Sequence, residues 1–187
     1  MKNLLLVLLT IPLLFGSCNK DDNVVQNSSN TWTKIFGDYF IDESFSVQQT
    51  TDGGYIITGQ KRHTNVESDV YLIKTDVNGD SLWSKTFGGT ENDLGNSVQQ
   101  TADGGYIICG NTESFGNGGS DIYLIKTDGS GNEQWFKTFG GVNGESGSSV
   151  QQTTDGGYII CGNTESFGNG FSDVYLIKTD ENGNISQ

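Results

Sequence analysis

One short stretch, Asp-Gly-Gly-Tyr-Ile-Ile-x-Gly, occurs three times in this chain and constrains its fold more than any other feature. The copies occupy residues 52–59, 103–110 and 155–162, and each follows the same lead-in, Ser-Val-Gln-Gln-Thr. The glycine pair moves by 51 residues between the first two copies and by 52 between the last two. A fixed period of about 50 residues predicts a repeat architecture.

Within the middle repeat, the apolar pattern predicts four short strands and no helix. The predicted strands cover residues 83–87, 97–101, 106–109 and 121–127, with polar or glycine-rich loops between them. Side chains alternate between the two faces of a strand, so Ile122 and Leu124 point one way while Tyr123 and Ile125 point the other. Both faces are therefore apolar, and each sheet needs a neighbour on either side. The pattern predicts an all-β fold of three four-stranded antiparallel repeats, near residues 46–87, 97–139 and 149–187.

The repeated residues carry a family resemblance. Asp-Gly-Gly-Tyr-Ile-Ile-Cys-Gly-Asn-Thr resembles the bacterial secreted β-propeller repeat, and the run Asp128, Gly131, Trp135 is similar to the tryptophan-docking element of quinoprotein-type propellers. The resemblance covers residues 32–187 and implies β-propeller blades, but no particular activity. A β-solenoid is the rival architecture, although about 52 residues is long for one solenoid coil.

The number of blades leaves two possibilities open. The tryptophan strand begins at Trp32, Trp83 and Trp135, so a strand over residues 32–36 is expected to supply the one that the last repeat lacks. Three blades are too few for a ring, since propellers have about four to eight. Either two copies join as a homodimer that completes a six-bladed ring, or the chain is an open arc or truncated product.

The N-terminus is predicted to be an export signal. Residues 4–15 are apolar but too short to span a bilayer, and residues 1–17 have the order of a signal peptide. The cysteine that follows, Cys18, resembles the lipidated cysteine of a bacterial lipobox, and an ordinary signal peptide with an incidental cysteine is the alternative. Residues 19–22 resemble a lipoprotein surface-export signal. The resemblance implies a lipid anchor on Cys18 and a surface-exposed position on the outer membrane. The polar, Asn- and Ser-rich composition of the residues that follow predicts a flexible tether over residues 18–31.

Composition excludes some classes of function. The chain has 10 basic and 23 acidic residues, a net charge of −13. Binding to nucleic acid or to an anionic lipid surface depends on lysine and arginine, so neither partner is expected. With a single histidine, no Ser/His/Asp catalytic set is visible. An enzyme of quinoprotein or lyase type is accordingly the least favoured class, and no cofactor is predicted.

Two kinds of loop are candidate ligand contacts. Lys61, Arg62 and His63 form the one basic break in an acidic repeat, so they either touch an anionic ligand or belong to a variable surface loop. Phe115 and Phe167 lie in two nearly identical Glu-Ser-Phe-Gly-Asn-Gly loops. Each phenylalanine either stacks on a sugar ring or packs against its own blade.

Further residues have both a chemical and a structural interpretation. Asp76, Asn78 and Asp80 space oxygen atoms as the start of a calcium loop does, but no bidentate glutamate follows, and a hairpin turn explains them equally. Cys109 and Cys161 hold equivalent positions about 10 Å apart on stacked sheets, too far for a disulfide, and are predicted to be buried free thiols.

Acidic residues also recur in register, at positions 42, 93 and 145 and again at positions 69, 121 and 173. They are expected to accept hydrogen bonds from turn N–H groups. The leading hypothesis from sequence is a non-catalytic, surface-anchored β-propeller module that binds a glycan or a protein. The alternative is a structural, self-assembling or truncated propeller fragment without a ligand.

Overall fold

The computed structural model describes residues 31–63 and 67–185, and within these ranges the chain is all-β, without a helix. The predicted signal peptide, Cys18 and most of the predicted tether lie outside the described residues. Eleven strands form three antiparallel sheets. Sheet 1 consists of β1 (Asp42–Gln49), β2 (Tyr55–Arg62), β3 (Ser68–Thr75) and β4 (Ser81–Phe87). Sheet 2 consists of β5 (Asp93–Gln100), β6 (Tyr106–Thr112), β7 (Asp121–Thr127) and β8 (Glu133–Phe139). Sheet 3 consists of β9 (Glu145–Gln152), β10 (Tyr158–Thr164) and β11 (Asp173–Thr179).

Strands pair in chain order within every sheet, so each repeat is an up-and-down set of antiparallel strands. The all-β prediction is confirmed. Four strands per repeat is confirmed for sheets 1 and 2 and wrong for sheet 3, which has three strands among the described residues. Residues 32–36 form no strand within the single chain, because no described strand lies beside them to accept or donate backbone hydrogen bonds. Their pairing with the last repeat of a second copy stays a prediction.

The first strand of each repeat is longer than the sequence predicts. In sheet 2 it begins at Asp93 rather than Ser97, because Asp93 pairs with Thr112 on the far side of an irregularity between Gly95 and Ser97. Sheet 1 has the same shift between Ser44 and Ser46. A bulge lets polar residues continue a strand past the apolar stretch that sequence periodicity detects.

The Asp-Gly-Gly segment makes the hairpin turn of each repeat. In sheet 2, the carboxylate of Asp103 accepts a hydrogen bond from the Thr101 hydroxyl at 2.5 Å and one from the Gly105 N–H at 3.0 Å. Gly104 has a φ of +83°, a conformation that side chains with a Cβ rarely adopt. The turn therefore needs both the aspartate and the glycine that the repeated motif supplies.

A buried lysine fixes the same turn from inside the sheet. The Nζ atom of Lys126 lies 2.9 Å from the carboxylate of Asp103, 2.8 Å from the Thr127 carbonyl and 3.2 Å from the Gln134 side-chain oxygen. Burial raises the pKa of Asp103, but hydrogen bonds from Thr101, Lys126 and the Gly105 N–H outweigh burial and hold that pKa at about 2. The equivalent ion pairs join Lys74 to Asp52 and Lys178 to Asp155, each at 2.8 Å.

The hydrophobic core lies between the sheets rather than inside any one of them. The cluster between sheets 1 and 2 consists of Ile56, Val70, Leu72, Phe87, Val98, Tyr106, Ile108, Tyr123 and Ile125. The cluster between sheets 2 and 3 consists of Ile107, Cys109, Ile122, Leu124, Phe139, Val150, Tyr158, Ile160 and Ile177. Sheet 2 contributes one face to each cluster, which confirms the prediction of two apolar faces.

Side chains of the Ser-Val-Gln-Gln motif join the first strands of successive sheets. Ser46 Oγ accepts a hydrogen bond from the Val98 N–H at 3.4 Å, and Gln48 Oε1 accepts one from the Gln100 N–H at 2.6 Å. Ser97 and Gln99 do the same for the N–H groups of Val150 and Gln152. These first strands are edge strands, whose outward N–H groups would otherwise lack a protein partner.

We expect Asp103→Asn to lower the free energy of unfolding by about 1–2 kcal/mol, because Lys126 is buried and loses its counter-charge, while solvent screens the more exposed carboxylate. The pKa of Asp103 is lowered on folding from 3.8 to about 2, so its contribution is complete above about pH 4 and is lost as the pH falls toward 2. Urea unfolding at several pH values measures both effects.

The matched control is Asp155→Asn in sheet 3. The Lys178 side chain is 44% exposed, against 4% for Lys126, so water replaces the missing carboxylate more easily. The control should cost less stability. Equal losses in the two variants would show that burial of the lysine does not set the effect.

Candidate interaction surface

A tryptophan from the last strand of one sheet packs on the next sheet. The ring of Trp83, in β4, covers Gly131 in the β7–β8 turn, where φ is +76° and any Cβ would collide with the indole. Trp83 also meets Tyr106 edge-on with 5.9 Å between ring centroids. Trp135 makes the same contacts with Gly183 and Tyr158 in sheet 3. Trp83 and Trp135 thus link neighbouring sheets.

The N-terminal segment makes these contacts without belonging to a sheet. We call residues 32–38 the Trp32 segment. Its tryptophan covers Gly79 and lies 5.6 Å from the Tyr55 ring, as Trp83 does one repeat later. Lys34 Nζ lies 2.6 Å from Asp80 Oδ1. The Trp32 segment is therefore placed against sheet 1 as β4 is placed against sheet 2.

The segment ends in the same way as β4 and β8. The Asp38 N–H donates to Asp42 Oδ2 at 2.8 Å, just as the Gly89 N–H donates to Asp93 and the Gly141 N–H donates to Glu145. These three bonds confirm that the acidic residues at positions 42, 93 and 145 accept turn N–H groups. The Trp32 segment therefore contacts sheet 1 as a fourth strand contacts the next sheet at three positions: Trp32, Lys34 and Asp38.

Sheet 1 has one apolar face on which no other sheet packs, on the side where the Trp32 segment lies. We call it the sheet-1 open face. Its residues are Val47, which is exposed, Tyr55, Ile57 and Tyr71, which are half-buried, and Ile73, which is buried. A cavity of about 750 Å³ lies between this face and the Trp32 segment. Val47 is 63% exposed here, whereas its counterpart Val98, under sheet 1, is 6% exposed. The residue types are those of a buried sheet face, but among the described residues no second sheet packs on this face.

Sheet 3 has the opposite face uncovered. We call it the sheet-3 open face, and its residues are Ile159, Cys161, Val174 and Leu176. Val174 is 82% and Leu176 66% exposed, whereas their counterparts Ile122 and Leu124 in sheet 2 are 0% exposed. Among the described residues, no strand pairs with the outer edge of β11.

The two cysteines differ for the same reason. Cys109 is a buried free thiol, as predicted, and burial raises its pKa to about 12. Cys161 is also free but exposed, so the prediction of burial was wrong for this residue. Its side chain lies on the sheet-3 open face, which has no neighbouring sheet.

The predicted basic loop is held mainly by contacts within the chain. Lys61 Nζ lies 2.8 Å from Asp38 Oδ2 and 5.0 Å from the centre of the Tyr71 ring, and the hydrogen bond to Asp38 raises the pKa of Lys61. His63 Nε2 lies 2.9 Å from Asp69 Oδ2. The N–H of Arg62 donates to the carbonyl of Ile41, the residue before β1. Binding of an anion by these residues stays a prediction.

The two loop phenylalanines pack on their own sheets. Phe115 lies 5.7 Å from Tyr123 and 5.0 Å from Phe136, centroid to centroid, and is partly buried. Phe167 lies 5.6 Å from Tyr175 and is about half exposed. These contacts agree with the second interpretation of the loops, and sugar stacking by either ring stays a prediction.

The candidate calcium residues form a hairpin turn. Asp76 Oδ1 accepts hydrogen bonds from the N–H groups of Asn78 and Asp80, each at 2.8 Å. The bond from the Asp80 N–H contributes most to the lowered pKa of Asp76. Asp80 itself pairs with Lys34. Over the described ranges, no group of three or more His, Cys, Asp or Glu side chains is arranged to hold a metal ion.

Carboxylates also meet where neighbouring sheets join. Gly140 lies between the side chains of Asp121 in sheet 2 and Glu145 in sheet 3, both buried. Burial raises the pKa of Asp121, and the charge of Glu145 adds to this effect. Burial also raises the pKa of Glu145, but hydrogen bonds from the Gly141 N–H, Thr164 and Ser166 outweigh it and lower that pKa. These donors make Glu145 a structural acceptor.

Comparison with known proteins assigns no family. No protein-family model matches the chain. The regulatory protein FlaEY of Caulobacter vibrioides is 27% identical over 133 residues, which is 64% of this chain but only 14% of that protein. This chain therefore spans a small part of its relative. Among the described residues, no helix is long and apolar enough to cross a membrane.

We expect calcium to leave the thermal unfolding midpoint unchanged, because amide and lysine donors already engage Asp76 and Asp80. Melting curves with added calcium and with a chelator test this. A midpoint that rises with calcium, and does so less in Asp80→Asn, would contradict the expectation and support the calcium site.

Proposed function

We propose that this protein is a cell-surface lipoprotein whose residues 32–185 form a non-catalytic β-propeller-type module that binds a protein partner. The observation that carries the proposal is the pair of apolar faces on which no other sheet packs, one on sheet 1 and one on sheet 3. Exposed apolar patches of this kind mark protein interaction sites. The sheet edge beside the second patch offers backbone hydrogen bonds to the same partner.

The propeller-type arrangement is supported by the way the sheets connect. Successive sheets pack face to face, their first strands are bridged by serine and glutamine side chains, and a tryptophan from each last strand docks on the next sheet. The same contacts recur from sheet to sheet. This is the neighbour-to-neighbour packing expected of blades.

A protein partner fits the open faces better than a glycan does. The sheet-3 open face presents branched aliphatic side chains, Val174 and Leu176, beside an unpaired strand edge. Sugar recognition relies on exposed aromatic rings with polar groups around them, whereas Phe115 is occupied by contacts with its own sheet. We therefore take protein as the partner class, with glycans as the contrasting arm of the test.

A non-catalytic role is supported by the state of the titratable groups. His63 is bonded to Asp69, and Glu145 accepts several hydrogen bonds from N–H and hydroxyl groups. The pKa of Asp103 is low because the turn and Lys126 hold its charged form. Each of these groups serves a turn, a loop or a joint between sheets.

We expect Val174→Arg to abolish protein binding, because the charged side chain would have to be desolvated inside an apolar interface. The matched control is Val142→Arg, which makes the same change at a valine that is 80% exposed in the β8–β9 loop. Chemical cross-linking on intact cells, followed by sizing of the complexes, measures binding. A glycan array probed with the same variants forms the second arm.

The expected result is loss of cross-linked complexes in Val174→Arg only. Complexes that survive equally in both variants would contradict the proposed function. Glycan binding that persists in both would instead favour the loops as the binding site. Thermal melts of both variants check that folding is intact, since surface substitutions change stability by no more than about 0.5 kcal/mol.

The lipid anchor is supported by sequence alone and needs its own test. We expect cells fed a clickable fatty acid to incorporate label into the wild-type protein and not into Cys18→Ser. Acyl chains contribute about 0.8 kcal/mol per buried methylene, so the variant should also leave the membrane fraction. Digestion of intact cells by an added protease reports surface exposure. Unlabelled wild-type protein would contradict the anchor.

A further inference from the structure

We propose that the protein partner is a second copy of this chain, whose Trp32 segment pairs with β11 and completes sheet 3 as its fourth strand. The proposal rests on the proposed function, because it assigns an occupant to the same two open faces. It goes further by naming the partner, the strand that is exchanged and the register of the pairing.

The first argument is that the Trp32 segment is already placed as a fourth strand. Its tryptophan, its lysine and its final N–H make the contacts with sheet 1 that Trp83, Lys85 and Gly89 make with sheet 2. In those later repeats the strand also pairs with the third strand of its own sheet. Here that third strand is missing from the described residues, although these three contacts with the neighbouring sheet are present.

The second argument is that sheet 3 offers the missing strand. β11 has the sequence Asp-Val-Tyr-Leu-Ile-Lys-Thr, which differs from β7 only by valine in place of Ile122. In sheet 2, β7 pairs with β8 through Ile122 with Phe139, Leu124 with Lys137, and Lys126 with Trp135. Sheet 1 pairs its β3 and β4 in the same register.

The register in the complex follows from these two pairings. Phe36, Lys34 and Trp32 hold the positions of Phe139, Lys137 and Trp135 in the repeat. The proposed antiparallel pairs are therefore Val174 with Phe36, Leu176 with Lys34, and Lys178 with Trp32. Side chains directly opposite each other lie about 4.5–5.5 Å apart at Cβ, so this register can be measured.

The third argument is that the two open faces are complementary. The sheet-3 open face matches the face of sheet 2 that packs on sheet 3: its Cys161 corresponds to Cys109 and its Leu176 to Leu124. The sheet-1 open face carries those with which sheet 2 contacts sheet 1: Val47 matches Val98, Tyr55 matches Tyr106 and Tyr71 matches Tyr123. Placing one copy's sheet 3 on the other copy's sheet 1 repeats a packing that each chain already contains twice.

The contact is directional, since the two faces differ. A head-to-tail contact of this kind closes into a ring when the rotation per copy permits and otherwise extends into a filament. We propose closure at two copies, in which each chain donates its Trp32 segment and accepts the other's. No unpaired open face then remains.

One residue departs from the repeated pattern at this joint. Ser44 stands where sheets 2 and 3 have Gly95 and Gly147, and a Cβ at those glycines would collide with Thr58 and Cys109 of the preceding sheet. In the complex, Ser44 faces Cys161 of the partner subunit, whose thiol must turn aside. Ser44→Gly removes this crowding and should raise the fraction of paired chains at a given concentration.

The test is a disulfide at the proposed register. Two versions of the full chain, both with Cys161→Ser, are expressed together: one carries Lys34→Cys and a size tag, the other Leu176→Cys. Mild oxidation of intact cells should give a mixed two-chain band that reduction removes. The off-register control replaces Lys34→Cys by Thr33→Cys, because a shift of one residue puts the side chain on the other face of the sheet.

Each outcome decides the proposal. A mixed band with Lys34→Cys and none with Thr33→Cys supports the strand exchange. A single chain that carries both Lys34→Cys and Leu176→Cys is tested in parallel. Disulfide-linked bands of more than two such chains would support the strand exchange and overturn closure at two copies. Absence of the mixed band overturns the proposal, as does an equal band from both pairs. The mixed band can be absent while Val174→Arg still abolishes cross-linking to a different protein; the strand exchange is then overturned and the proposed function survives. If Val174→Arg abolishes no cross-linked complex either, both proposals are overturned.

Discussion

Each sheet of this protein is apolar on both faces, and the rest of the structure depends on covering them. Leu124 and Tyr123 are adjacent in β7, yet they belong to different hydrophobic clusters on opposite sides of sheet 2. Burying one such side chain contributes about 1.5–3 kcal/mol. A sheet with a single neighbour forfeits half of this gain, so the stability of a repeat belongs to the contact between repeats.

The first two repeats accordingly carry residues that contact the following repeat. Gln48 bonds the N–H of Gln100, 52 residues later, and Trp83 covers a glycine of the next sheet. The glutamine bond satisfies a donor along a strand edge, and the indole covers a glycine that has no side chain of its own. Stability in such an array is close to a sum of repeat and neighbour terms, which makes an uncovered end costly.

The sequence predicted the elements well and their ends poorly. Alternation of Ile122, Tyr123, Leu124 and Ile125 identified β7 and both of its faces, because apolar periodicity reports burial directly. It missed the start of β5 at Asp93, since that part is polar and lies beyond a bulge.

The buried lysines were missed altogether, because the partner of Lys126 is a turn aspartate 23 residues away in sequence. The same limit applies to the candidate surface. Spacing predicted that Trp32 resembles a strand residue, but its contacts with Gly79 and Tyr55 appear only in three dimensions. Conversely, Cys161 has the same local sequence as Cys109 and a different exposure. Local sequence cannot distinguish a covered face from an open one, because the difference lies in the next sheet.

Near-identity of the repeats has a consequence for specificity. An exposed strand edge beside an apolar face is ordinarily an aggregation hazard, since any extended chain can pair with it. In the proposed pairing of two copies, the edge of β11 receives one segment whose lysine and tryptophan are already fixed to sheet 1 by Asp80 and Gly79. A second copy of this chain forms strand pairs with β11 and also packs its sheet 1 on sheet 3. An unrelated extended chain forms only the strand pairs. The fixed position of the Trp32 segment therefore favours one partner over many.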